Sequence, residues 1–463
     1  MMFNQARLDS SLASVAATPP PAPEGLDYYP FQEAGVWNLS EQIDHLGAVM
    51  CADEQGLGKT IQAVGVANVK GFKRIMVVGP ASLRLNWIRE LEKWHVHNPG
   101  IQAVMPGVKN FRPDPALSLV TSYDLAWKLK KQYKPDYLIV DEAHHIKNPY
   151  AKRTQVVLGN AIEKWGGFVQ DTPTIFLTGT PLPNGRPNEI WPLLRRCVPD
   201  VIDRLGNRAF IQKFCTYYDD GYGGVVVNGA KNTRELFLRL RGSGFMTRRL
   251  KKDVLKDLPA KRYKMVVFPA NSKELRKALE KEDRFSIAEI NENGGSSLGV
   301  SGLPEVRHEM GLAKVPQALA YLRDFLIGGT AKAVIFCHHL SVMAELAAGL
   351  GEYNPLLFNG STSPKRRQEI VDSFQTDPAR RVFIGNAAAS EGITLTAAQD
   401  VFIIEPEWVP GQNDQRVDRL HRIGQEGSVL VHYIVVENSL DAKILGASEK
   451  KQRDIENILT GSY

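Results

Sequence analysis

A short apolar segment that runs into a glycine-rich turn constrains this chain more than any other feature. Residues 47–51 read Gly-Ala-Val-Met-Cys, residues 53–60 read Asp-Glu-Gln-Gly-Leu-Gly-Lys-Thr, and a helical pattern follows over residues 61–69. A strand, a glycine-rich loop and a helix N-terminus together form a cradle for phosphate, because backbone N–H groups converge there. We therefore predict a buried strand, a nucleotide-binding loop and a helix in this region.

The residues of this loop have separate expected tasks. Glycines let the backbone turn its N–H groups toward an anion. Lys59 is expected to contact the β- and γ-phosphates and so to be catalytic, and the Thr60 hydroxyl to hold Mg²⁺. The strict pattern has Gly where this chain has Asp53, so an ordinary glycine turn at the start of a helix is the alternative. The predicted nucleotide-binding residues of the loop are Asp53, Gln55, Gly56, Gly58, Lys59 and Thr60.

Composition excludes several classes of protein. The 463 residues carry 57 Lys and Arg against 51 Asp and Glu, a net charge of +6 that is compatible with a polyanionic partner without requiring one. The four cysteines are scattered and form no C-x-x-C pair, so neither a zinc module nor a disulfide framework is indicated. Without a signal peptide or an apolar run of about 18 residues, we expect a cytoplasmic protein.

Apolar segments alternate with helical patterns in both halves of the chain. This alternation predicts an α/β fold of parallel sheets, with ligands at the carboxyl ends of the strands. It lapses over residues 185–258, and residues 272–328 are mainly helical, with a flexible glycine–serine break at 294–302. The predicted strands are 47–51, 74–80, 117–121, 137–140, 174–177, 332–337, 356–359, 381–384 and 401–404.

Polar residues at two further places suit the chemistry of a nucleotide. Asp141 and Glu142 directly follow the strand 137–140, where Asp141 can coordinate Mg²⁺ and Glu142 can deprotonate an attacking water. Gln32 lies ahead of the loop, and its amide has the donor and the acceptor needed to read an adenine edge. The alternatives are a solvated acidic turn and a polar helix residue.

Arg419 and Arg422 are three residues apart, so on a helix both would point the same way. Two guanidinium groups directed at a γ-phosphate would act as arginine fingers, whereas the alternative is a surface helix with a basic stripe. Residues 247–264 hold eight basic and two acidic residues. They fit either a contact with the DNA backbone or a solvated helix face.

In order and spacing these residues resemble the Swi/Snf-type DNA translocases of helicase superfamily two, in which Asp is the usual residue at position 53. Within that family the chain is most similar to the HARP-type annealing helicases, through Phe-Gln at 31–32, Arg-Arg-Leu-Lys at 248–251 and Phe-Cys-His-His at 336–339. We expect only the motor core. The family motifs lie at residues 53–60, 80–83, 141–148, 177–181, 359–362, 392–398 and 418–425.

The resemblance implies two RecA-like parallel-sheet lobes with helical insertions, and ATP and Mg²⁺ between them. A flexible leader would span residues 1–24, lobe 1 residues 25–258 with an insertion at about 185–258, and lobe 2 residues 259–463 with a helical insertion at about 272–328. Residues that couple the sites would be Thr178, Gly179, Thr180 and Gly392. Candidate DNA contacts are Ser82, Ser122, His338, Ser361, Thr362 and Thr394.

The resemblance also implies an activity: ATP hydrolysis coupled to movement along duplex or branched DNA. We expect a monomer with no membrane attachment, targeted by protein partners, in a bacterial or phage-infected cytoplasm. One alternative is a strand-separating helicase on DNA or RNA, since Asp-Glu-Ala-His also occurs there, although Arg-Ile-Gly-Gln argues against RNA. The other is a DNA-binding recruitment module without hydrolysis, but every expected catalytic position is filled.

Overall fold

The computed structural model describes residues 18–108, 110–129, 132–160, 166–219, 221, 224–285, 301–327, 329, 331–390 and 392–460. The chain divides into two compact units. The first unit contains the chain up to Lys256 and again from Asp454, and the second unit contains residues Asp257 to Arg453. Most of the expected leader (1–17) and of the expected glycine–serine break (294–300) lies outside the described residues.

The first unit is built on a seven-stranded sheet. Its strands and those of a hairpin are β1 (Ala48–Cys51), β2 (Ile75–Gly79), β3 (Ile101–Ala103), β4 (Ser118–Ser122), β5 (Tyr137–Asp141), β6 (Thr174–Leu177), β7 (Cys215–Asp219), β8 (Val225–Ala230) and β9 (Met246–Thr247). The sheet has the order β3-β4-β2-β5-β6-β1-β9 with every neighbouring pair parallel. The strands β7 and β8 form a separate antiparallel hairpin.

Helices cover both faces of this sheet. Those described are α1 (Pro30–Leu46), α2 (Lys59–Lys70), α3 (Arg84–Trp94), α4 (Lys152–Leu158), α5 (Trp191–Cys197), α6 (Asn207–Phe214), α7 (Thr233–Gly242) and α8 (Lys251–Val254). Because successive side chains of a strand point to opposite faces, β5 supplies Leu138 and Val140 to one core and Tyr137 and Ile139 to the other. A sheet buried on both faces explains the continuous apolar strands in the sequence.

The second unit repeats this plan with a six-stranded parallel sheet. Its strands are β10 (Lys261–Phe268), β11 (Ala333–Phe336), β12 (Leu356–Phe358), β13 (Val382–Gly385), β14 (Asp400–Ile403) and β15 (Val429–Val436), in the order β10-β15-β14-β11-β13-β12. Its described helices are α9 (Lys273–Glu282), α10 (Leu303–Ala313), α11 (Val315–Ile327), α12 (Leu340–Gly349), α13 (Pro364–Thr376), α14 (Pro410–Val417) and α15 (Leu440–Thr460), whose residues from Asp454 onward belong to the first unit. The predicted class of two RecA-like parallel-sheet lobes is confirmed.

The basic segment 247–264 differs from one of its two expected forms, and its contact with the DNA backbone stays a prediction. It contains β9, α8 and the start of β10, which is the edge strand of the second sheet. Lys251 is 2% exposed, and Lys261 forms an ion pair of 2.6 Å with Asp418. The segment is therefore not a solvated helix face, because part of its charge is used inside the protein.

Within the described residues, the helices are either too short or too polar to span a lipid bilayer.

Candidate functional site

The carboxyl ends of four neighbouring strands create the site in the first unit. The strands β5, β6, β1 and β9 are adjacent in the sheet and parallel, so the loops that follow them leave from one edge. These loops carry Asp141 and Glu142, residues 178–180, the phosphate loop 53–58 and residues 248–249. The sheet order thus brings together motifs that are up to about 200 residues apart.

The phosphate loop has the backbone that its glycines predict. Gly56 and Gly58 lie at φ +86° and +73°, in the left-handed region that favours glycine, and α2 begins directly afterwards at Lys59. The Lys59 ammonium donates to the carbonyl oxygens of Asp53 at 3.0 Å and Glu54 at 3.4 Å. The same ammonium group can serve phosphate oxygens, because it is partly exposed at the mouth of the loop.

Asp53 of the phosphate loop has its side chain in the protein interior, and its contact with a nucleotide stays a prediction. It is fully buried, and its carboxylate forms an ion pair of 2.5 Å with Arg249 and accepts a hydrogen bond of 2.9 Å from Gln62. Burial opposes ionisation, but the Arg249 charge holds the pKa of Asp53 below its usual value. The buried ion pair between Asp53 and Arg249 therefore attaches the base of the phosphate loop to the protein core.

Gln32 also reaches this loop. Its amide nitrogen donates to the Leu57 carbonyl oxygen at 3.2 Å, and its amide oxygen accepts from the Tyr29 backbone N–H at 3.0 Å. The side chain is 2% exposed. Both ends of the amide thus bind backbone groups, and its reading of adenine stays a prediction.

Asp141 is the last residue of β5, and Glu142 follows it directly. In the sheet, β6 lies between β5 and β1, the strand that leads into the phosphate loop. Trp87 of α3 donates its indole N–H to the Asp141 carboxylate at 2.7 Å. Burial and the charge of Glu142 raise the pKa of Asp141 to about 7. Glu142 itself lies at φ +48°, a strained backbone for a residue with a Cβ that is typical of functional sites.

A polar chain joins Glu142 to the loop after β6. The His144 Nδ1 atom lies 3.3 Å from a carboxylate oxygen of Glu142 and 3.2 Å from the Thr178 hydroxyl. That hydroxyl in turn accepts from the Thr180 backbone N–H at 3.1 Å. A Cβ at Gly179 would lie 2.6 Å from the Gln55 side chain and 3.4 Å from the Lys59 ammonium. The predicted coupling loop is therefore in contact with both the acid and the phosphate loop.

Arg248 joins the same two loops from the end of β9. Its guanidinium donates to the carbonyl oxygens of Ala52 at 2.7 Å and Gly179 at 3.2 Å. Arg249 lies on the core side of the phosphate loop, where its guanidinium donates hydrogen bonds to Asp53, Gln62 and the Phe31 carbonyl oxygen. From the sequence, this arginine pair was predicted only as part of a basic segment, and its place in the site was missed. The feature of the sequence that could have indicated this role is Asp53, because a carboxylate in a loop between buried elements requires a cation as its partner.

In the second unit, Arg419 and Arg422 are not on a helix, because α14 ends at Val417. The premise that both side chains point one way from a helix is therefore wrong. Arg419 donates to the Gln415 carbonyl oxygen at 3.1 Å, and Arg422 donates to the Ile393 carbonyl oxygen at 3.0 Å and to the Thr394 hydroxyl at 2.7 Å. Burial and the Arg419 charge lower the pKa of Arg422 to about 10.

These contacts connect the arginine loop to the segment after Gly392, which lies at φ +70°. The Leu395 backbone N–H donates to the Arg419 carbonyl oxygen at 2.8 Å. The Gln425 amide donates to the carbonyl oxygens of Thr396 and Ala398 at 3.2 and 2.8 Å. Hydrogen bonds thus join two of the predicted motifs, residues 392–398 and residues 418–425, within the second unit.

The candidate DNA contacts differ in their exposure. Ser82 and Ser361 are exposed, whereas Ser122 is 3% exposed at the end of β4. The other three make hydrogen bonds inside the second unit: His338 with Glu407 at 3.0 Å, Thr362 with the Asn359 backbone N–H at 3.0 Å, and Thr394 with Arg422 at 2.7 Å.

The residues Thr60 and Asp141 suit Mg²⁺ in their chemistry. A hydroxyl and a carboxylate are hard oxygen ligands, which this cation prefers. Burial and, after it, the neighbouring Glu142 charge raise the Asp141 pKa, and a bound cation would offset the repulsion between the two carboxylates.

Comparisons with known proteins identify the class. The SNF2-related domain model matches residues 31–305, and the helicase conserved C-terminal domain model matches residues 317–424. The chain therefore belongs to the SNF2-related family, and the resemblance to Swi/Snf-type translocases is confirmed. Proteins with this pair of domains bind a nucleotide, so the coarser part of the ATP prediction is confirmed as well.

Two curated proteins illustrate what this chain is similar to within the family. The human "DNA annealing helicase and endonuclease ZRANB3" is 31% identical over 453 residues, covering 93% of this chain and 40% of that protein. The Xenopus tropicalis "SWI/SNF-related matrix-associated actin-dependent regulator of chromatin subfamily A-like protein 1" is 31% identical over 435 residues, covering 90% of this chain and 43% of that protein. The chain thus spans about two fifths of the length of these curated relatives.

A solved structure is also similar: the "Sulfolobus solfataricus SWI2/SNF2 ATPase core in complex with dsDNA", at a TM-score of 0.44 and 22% identity, covering 94% of each chain. The expected bacterial or phage cytoplasm is wrong, because the curated relatives are animal proteins, from human, frog and nematode among others.

Proposed function

We propose that this chain is a DNA-dependent ATPase that couples ATP hydrolysis to movement along duplex or branched DNA. In doing so it would remodel forks or protein–DNA complexes. One observation carries the proposal. In a chain of the SNF2-related family, a phosphate loop, an Asp-Glu pair and a Thr-Gly-Thr loop leave neighbouring strands at one edge of a parallel sheet.

In the proposed reaction, ATP is the substrate. Lys59 binds the β- and γ-phosphate oxygens, and the Glu142 carboxylate accepts a proton from the water that attacks the γ-phosphorus. The bond between that phosphorus and the ADP oxygen breaks, which yields ADP and phosphate. Thr60 and Asp141 hold Mg²⁺, which neutralises phosphate charge when bound. Arg419 and Arg422 are proposed to stabilise the charge of the transition state.

The link between hydrolysis and DNA is proposed to pass through hydrogen-bonded loops within each unit. His144 contacts both Glu142 and Thr178 at 3.3 and 3.2 Å, so a change at the acid alters the loop after β6. In the second unit, Arg422 bonds to Thr394 at 2.7 Å, which is itself a candidate DNA contact. Each unit thus has a short path from a catalytic candidate to a coupling or DNA-binding candidate.

The names of the relatives support DNA as the partner, since one is called a DNA annealing helicase and another a regulator of chromatin. We propose contacts mainly to the phosphate backbone, which position a protein without reading sequence. We also propose that the chain acts as a monomer and that protein partners direct it to its sites. The placement of the candidate contacts near strand ends in both units is consistent with such a backbone-tracking surface.

The test is the ATPase rate of the purified chain with blunt duplex, single-stranded DNA, forked DNA and RNA at one salt concentration, because salt alone changes such affinities by orders of magnitude. We expect strong stimulation by duplex or forked DNA and little by RNA. Stimulation by RNA with unwinding of a paired strand would favour the strand-separating helicase instead. An absence of hydrolysis under every condition would leave only the DNA-binding module.

A further inference from the structure

An unexplained pair of exposed aromatic side chains lies on the first unit. Tyr150 is 80% exposed and Trp127 is 45% exposed. Single exposed apolar residues are common, but these two are connected. The Lys152 ammonium stands 4.4 Å from the centre of the Trp127 ring, and Tyr150 lies in the turn two residues before Lys152, the first residue of α4.

Both side chains are held by ordered backbone. The Tyr150 N–H donates to the Asn148 side-chain oxygen at 2.9 Å, and the Gln155 amide donates to the Tyr150 carbonyl oxygen at 3.5 Å. Trp127 lies in a 3₁₀ turn, Ala126–Leu129, whose two end residues are fully buried in the core. The backbone that carries each ring is therefore held in place, which lowers the entropy that a stacked ligand must remove.

The surroundings of the rings are basic. Lys152 and Arg153 are exposed, and within the described part of the chain neither forms an ion pair with a carboxylate. Lys147 is close by in the same loop and pairs with Glu189 at 3.1 Å. Exposed cations beside flat aromatic rings suit an anion that also has a flat face. That combination is characteristic of single-stranded nucleic acid.

Position in the fold favours the same ligand. Trp127 follows β4 and Tyr150 follows β5, so both leave the sheet at the edge that carries Asp141 and Glu142. A fully paired duplex keeps its base faces stacked and has none to offer a ring, whereas the unpaired arm of a branched DNA exposes them.

We propose that Trp127, Tyr150, Lys152 and Arg153 form a binding surface for unpaired nucleotides of branched DNA, on which the two rings stack against bases and the two cations pair with phosphates. This inference rests on the proposed function and specifies its substrate: the surface selects junctions with a single-stranded arm over continuous duplex. Below, these four residues are called the aromatic surface.

Binding measurements with labelled oligonucleotides test this. A fork with one single-stranded arm and a blunt duplex of equal length are compared by fluorescence anisotropy at one salt concentration, with Trp127→Ala, Tyr150→Ala and Tyr150→Phe. We expect each alanine variant to bind the fork about tenfold more weakly and the duplex unchanged, and Tyr150→Phe to retain fork binding. A 2-aminopurine in the arm, which aromatic stacking quenches, should lose that quenching with either alanine variant.

Tyr217→Ala serves as the matched control, since Tyr217 is 37% exposed on the hairpin strand β7 with the Lys231 ammonium 5.9 Å from its ring centre, and the variant should leave fork binding unchanged. Equal losses on fork and duplex would overturn the proposal in favour of a general basic surface. Unchanged binding of both would overturn it in favour of a protein partner. If the unmodified chain shows DNA-stimulated ATPase while the variants keep their fork preference, this inference fails and the proposed function stands.

Discussion

Arg249 and Asp53, 196 positions apart in the chain, form an ion pair of 2.5 Å with side chains that are 2% and 0% exposed. The pair connects the end of β9 to the base of the phosphate loop. Gln62 and the Phe31 carbonyl oxygen accept the remaining hydrogen bonds of the guanidinium. The geometry of the phosphate loop thus depends on Arg249, which follows β9 near the end of the longer of the first unit's two chain segments.

Removing one partner of this pair should destabilise the first unit strongly. Arg249→Met leaves a buried carboxylate without its cation, which costs about 3–5 kcal/mol, and the double variant Asp53→Leu/Arg249→Met should recover much of that loss. Urea unfolding of the single and the double variant checks this. The exposed pair Arg366 and Glu369, at 3.0 Å, is the control, and Arg366→Met should change stability by less than about 1 kcal/mol. Equal, small effects at both pairs would contradict a structural role for the buried one.

Lys59→Ala and Glu142→Gln should each abolish turnover, for different reasons. The first removes a phosphate contact, and the second removes the proton acceptor, which is worth about 10²–10⁴-fold in rate, while leaving the phosphate loop intact. Glu142→Gln should therefore still bind ATP. Steady-state ATPase and nucleotide-binding titrations separate the two effects. The exposed Glu41→Gln is the control, and near-normal ATPase in Glu142→Gln would disprove the assignment of the base.

Arg422→Ala should lose hydrolysis while keeping ATP affinity within about tenfold, because arginine fingers act mainly on the transition state. Arg422 also bonds to Thr394 at 2.7 Å, so Thr394→Val, which removes that acceptor without removing the charge, is the matched comparison and should keep the ATPase rate that is measured without DNA. ATPase rates and ATP titrations of both variants check this. A collapse of ATP affinity in Arg422→Ala would show that the residue binds the ground state.

Glu282 should make stability depend on pH. It is 1% exposed, and burial and the charge of Asp441 raise its pKa from 4.5 to about 7. Between these two values the unfolded chain binds fewer protons than the folded chain, so stability falls as the pH rises. The loss is complete above pH 7 and amounts to about 3 kcal/mol.

Glu282→Gln keeps an acceptor for the Leu440 N–H, which the carboxylate binds at 2.7 Å, and it cannot ionise. The variant should match the unmodified chain near pH 4 and exceed its stability at pH 8, as measured by urea unfolding across that range. The exposed Glu352→Gln should follow the unmodified chain at every pH. If the stability of Glu282→Gln changed with pH in the same way as that of the unmodified chain, the buried carboxyl would not titrate in this range.

Most strands that are buried on both faces could be predicted, but the interior strand β15 (Val429–Val436), which pairs with both β10 and β14, was missed. The segments around β1, β5 and β6 are continuous apolar runs that end in polar motifs, and their bounds agree with the prediction to within a residue. The strand β10 was missed, because it is an edge strand with five exposed residues and therefore lacks the apolar pattern. The charges that it carries suggested a basic surface instead.

The site was predictable as a set of motifs and not as a set of contacts. The residue types and spacings of the loops at 53–60, 141–142 and 178–180 already indicated nucleotide chemistry, because few other combinations suit a phosphate and a metal ion. They could not reveal that His144 contacts both Glu142 and Thr178, since such distances depend on strand order. The helix assumed for Arg419 and Arg422 failed for a related reason: hydrogen bonds to residues 393 and 394 hold Arg422 in a loop.

By itself, the amino-acid sequence determined the class of this protein, two α/β lobes with a nucleotide loop, because that information is local: apolar periodicity, glycine positions and short motifs. Only the tertiary structure decided what Asp53 does. Its carboxylate faces inward to Arg249, a partner brought near by the parallel pairing of β1 with β9. The free energy of a buried charge depends on the partner beside it, and no spacing along the chain specifies that partner.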